Sequence, residues 1–334
     1  MARKLLIATL GTSPAVITEA VDLLDEQGDR PDGVLLLHTE DPDVKESCEL
    51  LQAHLPRHCG IQWVTPIPIG SYGDIDSTAA AVEFMELACA QLRAYRDEYR
   101  VFVNIAGGRK TMSALLALAV QFYGAARLFH IWVPPWLESE GEITALRDLT
   151  EEEITRRLHP SLKGSPSDRP QLVDLPFIAL FPMLPDIHRA LRGESPAPWE
   201  IRQALIHAGL LNPHGTPTSM GQQVATILDN VETLPPVCQV EPQIHIPRHH
   251  YQDRLRRFAR DLIAYAPFIV EIHGEEWRKG EPGVRAQPPN ELIAEVRLHT
   301  DILFRLRLVT TATTPGQLEA ARRYVERYIR RREG

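Results

Sequence analysis

The segment from Val101 to Leu118, VFVNIAGGRKTMSALLAL, most constrains the fold of this 334-residue chain. Its apolar run ends at Gly107-Gly108 and is followed by apolar residues at helical spacing, which predicts a strand, a tight turn and a helix. Glycines let the backbone approach a ligand closely, and the first amides of a helix have no partner within it. Because Arg109 and Lys110 add positive charge, the turn predicts a site for an anion.

The N-terminal segment repeats this arrangement. Lys4 to Leu10 predicts a strand, Gly11-Thr12-Ser13-Pro14 a turn, and the residues up to Leu24 a helix that starts with Pro14 and is capped by Thr12 or Ser13. Two such loops at the carboxyl ends of parallel strands form one crevice in which a ligand binds. Their spacing matches neither nucleoside triphosphatases nor dinucleotide folds, and each loop alone is also compatible with an ordinary turn.

The two segments, LIATLGTSPAVITEAVDLL and VNIAGGRKTMSALLAL, resemble the CARF domain of type III CRISPR-associated proteins, and especially the NE-type subfamily with its TLGTSP loop. The resemblance covers about residues 1–180. It implies a Rossmann-like α/β fold, a homodimer, and binding of cyclic tetra-adenylate or cyclic hexa-adenylate across the dimer axis. Such a ligand is a ring of phosphodiesters, which suits two glycine-rich loops with cations beside them.

Between the two loops, strands are predicted at Gly33–His38 and Ile61–Ile69, with a helix after each. This alternation predicts a parallel sheet with right-handed crossovers, so that all the loops following strands reach one edge. Thr39 and Tyr72 are then predicted contacts for ribose and adenine, although Tyr72 packed at the domain surface fits equally well. The predicted ligand-binding residues are Gly11, Thr12, Ser13, Thr39, Tyr72, Gly107, Gly108, Arg109, Lys110 and Thr111.

Composition indicates a folded chain of two or three domains, since 44% of its residues are hydrophobic. It has no apolar run of membrane-spanning length and no cleavable signal pattern, so we expect a cytoplasmic protein without a membrane partner. Its four cysteines show no CxxC spacing, and the adjacent His249 and His250 point apart. We therefore expect no metal site and no cofactor, the cyclic oligoadenylate being an activating ligand.

A middle module is predicted at residues 181–244, after a loop of Gly, Ser and Pro at 163–170. Its two helices, near 199–209 and 218–230, resemble a winged helix-turn-helix. Arg202 is the one Lys or Arg in residues 199–236, which favours a spacer or dimerising role over DNA binding. Arg202 and His207 also fit the RxxxxH signature of HEPN ribonucleases, a match of two residues.

Residues 245–334 reverse the charge balance, with 17 Lys and Arg against 12 Asp and Glu, while the rest of the chain has a net charge of −13. Sixteen of these cations are arginine, whose planar fork suits phosphate. A helix, several strands and a last helix are predicted here. In the strand pair 292–299 and 302–310, charged residues alternate with apolar ones, which predicts one apolar and one cationic sheet face.

This order of elements resembles the RelE family of ribosome-dependent mRNA endonucleases. The resemblance implies a small α+β domain, metal-independent cleavage of mRNA, and the ribosome as a partner. Arg297, Arg305 and Arg307 are the predicted stabilisers of the charged phosphorane, and His299 the predicted proton donor or acceptor. The predicted RNA-binding residues are Arg278, Lys279 and Arg285.

Together these patterns predict a CRISPR effector in which the ligand reorients two sensor domains and the middle module passes that change to the C-terminal sheet. Two alternatives stay open. The sensor domain could itself cut its ligand as a ring nuclease, with Lys110, the loop amides and nearby Ser13 around the reacting phosphate. The chain could also be a transcriptional regulator, which its acidic middle segment disfavours.

Overall fold

The computed structural model describes residues 3–69, 73–194, 197–275, 282–299 and 302–331. The chain forms two compact units, residues 1–229 and residues 230–334. The predicted division into three domains, with boundaries at 180 and 244, stays a prediction. No helix in the described ranges has both the length and the apolar character needed to cross a bilayer.

The first unit is built from alternating strands and helices, which confirms the predicted α/β fold class. In chain order these are β1 (Arg3–Leu10), α1 (Ala15–Glu26), β2 (Gly33–His38), α2 (Pro42–His58), β3 (Trp63–Pro68), α3 (Thr78–Tyr95), β4 (Tyr99–Asn104), α4 (Lys110–Tyr123) and β5 (Arg127–Trp132). The strands form a parallel sheet. A sixth strand, β6 (Gln171–Asp174), adds antiparallel to β5 and completes the order β3-β2-β1-β4-β5-β6.

The sheet reverses its winding direction between β1 and β4. The chain runs outward from β1 through β2 to β3 and then returns to β4 beside β1. Leu6 and Ala8 of β1 pack with α1 and α2, whereas Leu5 and Ile7 alternate with them and are buried on the opposite face, where α3 and α4 pack together. Such a reversal is where ligands bind in open parallel sheets.

Three short helices follow β5, of which the second packs against α2 and the third against α1. They are α5 (Pro135–Glu138), α6 (Ile143–Leu146) and α7 (Glu151–Leu158). Leu146 and Leu158 form a small apolar cluster with Ala15, and the Thr18 hydroxyl donates to the Leu158 carbonyl. This crossover segment, residues 133–162, therefore lies against the start of α1.

The middle of the chain contains α8 (Leu184–Leu191), α9 (Trp199–His207) and α10 (Ser219–Glu232). The last two are the helices of the predicted helix-turn-helix. In the described part of the chain no hairpin of two strands follows α10 as a wing, because the next strand joins the sheet of the second unit. The winged-helix assignment stays a prediction.

The second unit is an α+β structure. It contains β7 (Gln243–His245), α11 (Gln252–Tyr265), β8 (Ile269–Glu275), β9 (Gly283–Gln287), β10 (Glu291–His299), β11 (Ile302–Thr310) and α12 (Pro315–Arg331). The sheet order is β7-β8-β11-β10-β9, antiparallel except for the pair β7 and β8. Tyr265 of α11 stacks on Tyr324 of α12 with ring centroids 4.4 Å apart, and it tilts against Tyr328 at 4.6 Å.

Candidate functional site

The two glycine loops contact each other at the carboxyl edge of the six-stranded sheet. They are adjacent because β1 and β4 are parallel neighbours, with Ala8 opposite Asn104. A Cβ added to Gly11 would lie 3.0 Å from the Gly108 nitrogen, and one added to Gly107 would lie 2.4 Å from the Thr9 carbonyl oxygen. Gly108 also has a φ of +77°, a conformation that other residues rarely adopt. These glycines are therefore needed first for contact between the loops.

Asn104, at the buried end of β4, ties the second loop to α1. Its Nδ2 donates to the Val16 carbonyl at 3.1 Å, and its Oδ1 accepts from the Ala106 amide at 2.9 Å. The Thr9 hydroxyl adds a 2.6 Å hydrogen bond to the Gly107 carbonyl. Sequence reasoning missed Asn104, although a buried polar residue that ends an apolar strand signals such a role.

The two helices that start at these loops have no side-chain cap. Pro14 precedes α1 and Arg109 precedes α4, and neither side chain accepts a hydrogen bond from an amide of the first turn. The predicted capping of α1 by Thr12 or Ser13 is wrong, because the Ser13 hydroxyl donates instead to the Gly141 carbonyl at 3.2 Å. The Ser13 hydroxyl, which was expected to cap α1, is therefore hydrogen-bonded to the segment that follows β5.

The neighbouring crossover helices do carry caps. Asp41 accepts from the Asp43 amide at 2.9 Å at the start of α2, and Ser77 accepts from the Ala80 amide at 3.2 Å at the start of α3. The uncapped helix starts therefore coincide with the reversal of the sheet. Unpaired amides and the positive end of the helix dipole make each of them a site for negative charge.

A cavity of about 390 Å³ lies beside the two loops. Of the predicted ligand-binding residues, it is lined by Gly11, Thr12, Ser13, Gly107 and Gly108. Arg109, Lys110 and Thr111 are exposed at the start of α4, outside this lining, and Thr39 is buried after β2. Tyr72 lies outside the described residues. The assignment of all ten residues to ligand binding stays a prediction.

Glu19, on α1, is a cavity residue that sequence reasoning missed. It is 2% exposed, and its Oε2 has no hydrogen-bond partner among the described residues. Burial, with a smaller contribution from the charge of Asp22, raises the pKa of Glu19 to about 8. At neutral pH this carboxyl is therefore protonated and can both donate and accept a hydrogen bond.

His130 and Trp132, at the end of β5, also line the cavity. Burial lowers the pKa of His130, so its imidazole is neutral at pH 7. Trp132 is 39% exposed and offers a ring for stacking. With the protonated Glu19, these side chains suit an uncharged heterocycle, while the helix starts beside them suit phosphate.

The cations beside the second loop are accessible. Arg109 Nε lies 3.3 Å from an Asp74 carboxylate oxygen, and both side chains are about half exposed. Such surface pairs contribute little stability, so a phosphate could replace Asp74 at low cost. Lys110 is exposed at the first position of α4.

In the second unit, the predicted alternation along β10 and β11 is present, but the polar face is not purely cationic. Arg305 Nε lies 3.2 Å from Glu275, Arg307 Nη1 donates to Glu291 at 2.7 Å, and Arg285 donates to Glu295 at 2.9 Å. Strand register places these carboxylates on the same face as the arginines. Arginine and glutamate side chains therefore alternate across this face of the sheet.

The structure brings together only part of the predicted catalytic set. Arg305 and Arg307 both lie within 4 Å of Glu275. Arg297 is exposed on β10 opposite Leu303. His299 ends β10 with its side chain outside the described residues, where Arg278 and Lys279 also lie.

Three further residues on this face, His245, Glu271 and His273, were missed by sequence reasoning. The rings of His245 and His273 stack with centroids 4.7 Å apart, and His273 Nε2 lies 2.7 Å from a Glu271 oxygen. That hydrogen bond lowers the pKa of Glu271. His273 is also the strand partner of Arg307. The alternation of Glu271 and His273 around the buried Ile272 could have revealed them.

Arg202 and His207 are not brought together as a catalytic pair. They are five residues apart on α9, so the helix turns their side chains about 140° from each other. Arg202 donates to the His214 carbonyl at 2.9 Å and packs over Gly215. Arg202 thus holds the turn between α9 and α10.

A family model described as CRISPR-associated protein NE0113 (Cas_NE0113) matches residues 13–208. The chain belongs to this family. The match covers more than half of the chain and includes the second glycine loop and α1 to α9. The predicted identity as an NE-type CRISPR-associated protein is confirmed.

Among solved structures, the NE0113-family chain is similar to Enterococcus italicus Csm6 bound to cyclic hexa-2'-fluoro-hexa-dAMP, with 12% identity and a TM-score of 0.40. The similarity covers 70% of this chain and 54% of that one, so the chain spans about half the length of Csm6. The comparison with curated proteins gives no match.

Replacing Gly107 by Ala tests the contact between the second glycine loop and the end of β1 in the NE0113-family protein. The added methyl group would meet the Thr9 carbonyl at 2.4 Å, so we expect a loss of about 1–3 kcal/mol in the free energy of unfolding. The measurement is the urea midpoint of the first unit. Gly73→Ala is the matched control, because nothing lies within 4 Å of its added Cβ. Equal midpoints for the two variants would contradict the contact.

Replacing Glu19 by Gln tests its protonation. Its folded pKa of about 8 exceeds the ordinary 4.5, so the folded state holds a proton that the unfolded state releases between these values. Stability therefore falls as pH rises from 4.5 to 8, by up to about 1.4 kcal/mol per pH unit. Urea unfolding from pH 5 to 8 measures this, and Glu19→Gln should remove that part of the slope. Glu142→Gln, at the exposed cavity rim, should keep the pH slope of the unaltered protein. Identical slopes for the unaltered protein and both variants would refute the raised pKa of Glu19.

Proposed function

We propose that this CRISPR-associated protein senses cyclic tetra-adenylate or cyclic hexa-adenylate at the carboxyl edge of its six-stranded sheet. The observation that carries the proposal is that α1 and α4 start uncapped at the reversal of the sheet, whereas α2 and α3 are capped. Two neighbouring sets of free amides suit a ligand with repeated phosphates.

Phosphates and bases would bind to different parts of the site. The amides at the starts of α1 and α4, with Lys110 and Arg109, would take the phosphodiesters. Trp132 would stack on an adenine, and the protonated carboxyl of Glu19 would pair with its ring nitrogen and amino group. Tyr72 and Thr39 remain candidates for further base and ribose contacts.

We propose that the site is completed in a homodimer. Thr111, Ala114 and Leu118 are exposed along one side of α4, and Leu118 is 48% exposed. A twofold contact along this side would bring two copies of Lys110 together. A cyclic ligand with an even number of phosphates matches such twofold symmetry.

The output that we propose is cleavage of mRNA by the C-terminal unit, with the ribosome positioning the substrate. Arg305 and Arg307 would stabilise the charged phosphorane once RNA displaces their carboxylate partners, and Arg297 and His299 would assist from β10. Arg278, Lys279 and Arg285 would hold the RNA backbone. The polar face bearing His245 and His273 supports this proposal, because paired imidazoles can exchange protons with the reacting groups.

Replacing Lys110 by Ala tests the sensor. Loss of one charge-assisted phosphate contact should weaken binding of cyclic tetra-adenylate or cyclic hexa-adenylate about 10-fold or more, measured by titration calorimetry. Lys163→Ala, in an exposed loop that does not line the cavity, removes the same charge and should bind as the unaltered protein does. Equal weakening in both variants, or no binding of either ring, would contradict the sensor assignment.

Replacing Arg307 by Ala tests the output. Cleavage of mRNA with ligand and translating ribosomes, followed on a gel, should slow about 100-fold, as expected when a stabiliser of the transition state is removed. Arg330→Ala, on the exposed side of α12, is the matched control and should keep the full rate. Cleavage by Arg307→Ala at the unaltered rate would exclude this site. Linearised ligand with intact mRNA would instead show a ring nuclease.

A further inference from the structure

The outer side of α11 carries a set of arginines at helical spacing. The apolar residues Leu255, Phe258 and Leu262 of this helix are buried in the second unit. At 100° per residue the arginines lie on the remaining side, within an arc of about 160°. We call this side the arginine face, and it consists of four exposed residues, Arg254, Arg256, Arg257 and Arg260.

No carboxylate neutralises the arginine face. Within the part of the chain that the structure describes, none of its four guanidinium groups forms an ion pair or a side-chain hydrogen bond. Other arginines of the unit do form such pairs, since Arg285 lies 2.9 Å from Glu295 and Arg330 lies 2.7 Å from Glu326. The arginine face therefore keeps its full positive charge.

The arginine face also places like charges next to each other. Three of its pairs are spaced by three or four residues, namely Arg254 and Arg257, Arg257 and Arg260, and Arg256 and Arg260. Side chains at these spacings are neighbours on a helix surface, and like charges there destabilise the helix. Asp253 is the one exposed acidic residue of α11, since Asp261 is buried. A bound polyanion would relieve this repulsion.

The arginine face is separate from the polar face of the sheet. Phe258 and Tyr265 of α11 pack on two tyrosines of α12, and α12 packs on β9 and β10. The arginine face lies on the opposite side of α11 from these contacts. Arg305 and Arg307, by contrast, lie on β11 and pair with Glu275. The unit thus has two cation-bearing surfaces, one on its sheet and one on the outside of a helix.

The chemistry of the arginine face fits a row of phosphates on a duplex. A planar guanidinium can bind a phosphate with two parallel hydrogen bonds. Arg254 and Arg260 are six residues apart, or about 9 Å along the helix axis, so the face can span several phosphates. The aromatic residues of α11, Phe258 and Tyr265, are buried and offer no platform for unpaired bases. A duplex, whose bases stack inside it, matches these properties better than a single strand.

A membrane surface fits the arginine face less well. Basic helices that bind bilayers bury an apolar side among the lipids. In α11 that side already packs inside the unit, where Leu255 and Leu262 are 2% and 0% exposed. The accessible part of the helix is therefore purely polar.

We propose that the arginine face is a docking surface for base-paired RNA, which it binds through the phosphate backbone. The inference rests on the proposed function, because the ribosome that would position the mRNA consists largely of base-paired RNA. Phosphate contacts at α11 hold the unit in place while the polar face of the sheet receives the strand to be cut. Recognition depends on charge and on the shape of the duplex, and not on base sequence.

The test is binding of the full-length protein to a fluorescently labelled RNA duplex of about 16 base pairs, measured by anisotropy without cyclic oligoadenylate and without ribosomes. Arg256→Gln/Arg260→Gln should bind about 10-fold or more weakly. The dependence of log Kd on log salt concentration should become shallower by about two, roughly one for each lost phosphate contact. The matched control is Arg189→Gln/Arg330→Gln, which removes two exposed arginines that already pair with carboxylates and should bind as the unaltered protein does.

Urea unfolding shows whether the variants are folded. Arg256→Gln/Arg260→Gln should be at least as stable as the unaltered protein, because like charges are removed from one side of a helix. Since neither cyclic ligand nor cleavage is involved, the result stands whether or not the unit cuts mRNA. Equal duplex binding by the two folded double variants overturns the proposal. It is also overturned if the unaltered protein binds single-stranded RNA, a DNA duplex of the same sequence or phosphatidylserine vesicles more tightly than the RNA duplex.

Discussion

The parallel pairing of β1 with β4 is the contact on which the rest of the first unit depends. It places the second glycine loop so close to the first loop and to the end of β1 that a Cβ on Gly11 would lie 3.0 Å from the Gly108 nitrogen, and a Cβ on Gly107 would lie 2.4 Å from the Thr9 carbonyl oxygen. It also fixes the reversal of the sheet, since β2 and β3 extend to one side and β5 to the other. This pairing also places the starts of α1 and α4 next to each other, with the cavity beside them.

In our proposal the site would recognise negative charge through local dipoles, because the net charge of the surrounding chain opposes it. Residues outside 245–334 have a net charge of −13, which disfavours nonspecific binding of nucleic acid to that part of the molecule. Uncapped helix starts act over short distances and in fixed directions. They therefore suit a compact ring of phosphates better than a long polyanion. In the same proposal, the neutral cavity wall next to them would add selectivity for a heterocycle.

Much of the fold could be predicted from the sequence, because strands with continuous apolar runs and glycine turns carry strong local signals. The bounds of β2 and β11 match the predicted ones, and the two glycine loops are adjacent as expected. The capping of α1 could not be predicted, since the competing acceptor for the Ser13 hydroxyl is the carbonyl of Gly141, over a hundred residues away. Short strands such as β7 and β9 lack a local pattern long enough to detect.

Residues whose role depends on contacts with distant parts of the chain could not be predicted either, because no local pattern reveals such contacts. The pKa of Glu19 depends on burial, which its helical position alone does not reveal. The arginines of β11 were expected on a cationic face, but the register of three strands gives them carboxylate partners. The contacts of His159 with Asp22 of α1 and with His54 of α2 need both helices to be in place. The sequence therefore predicts the chemical character of local motifs, but it does not predict which distant residues contact each other.

Hydrogen–deuterium exchange with and without saturating cyclic tetra-adenylate or cyclic hexa-adenylate measures whether the uncapped helix starts bind the ligand. We predict slower exchange in peptides that cover residues 11–17 and 107–113, where α1 and α4 start uncapped. Peptides at the capped starts of α2 and α3 should exchange at unchanged rates. Protection at the capped helix starts instead, or no protection at either loop with ligand bound, would contradict it.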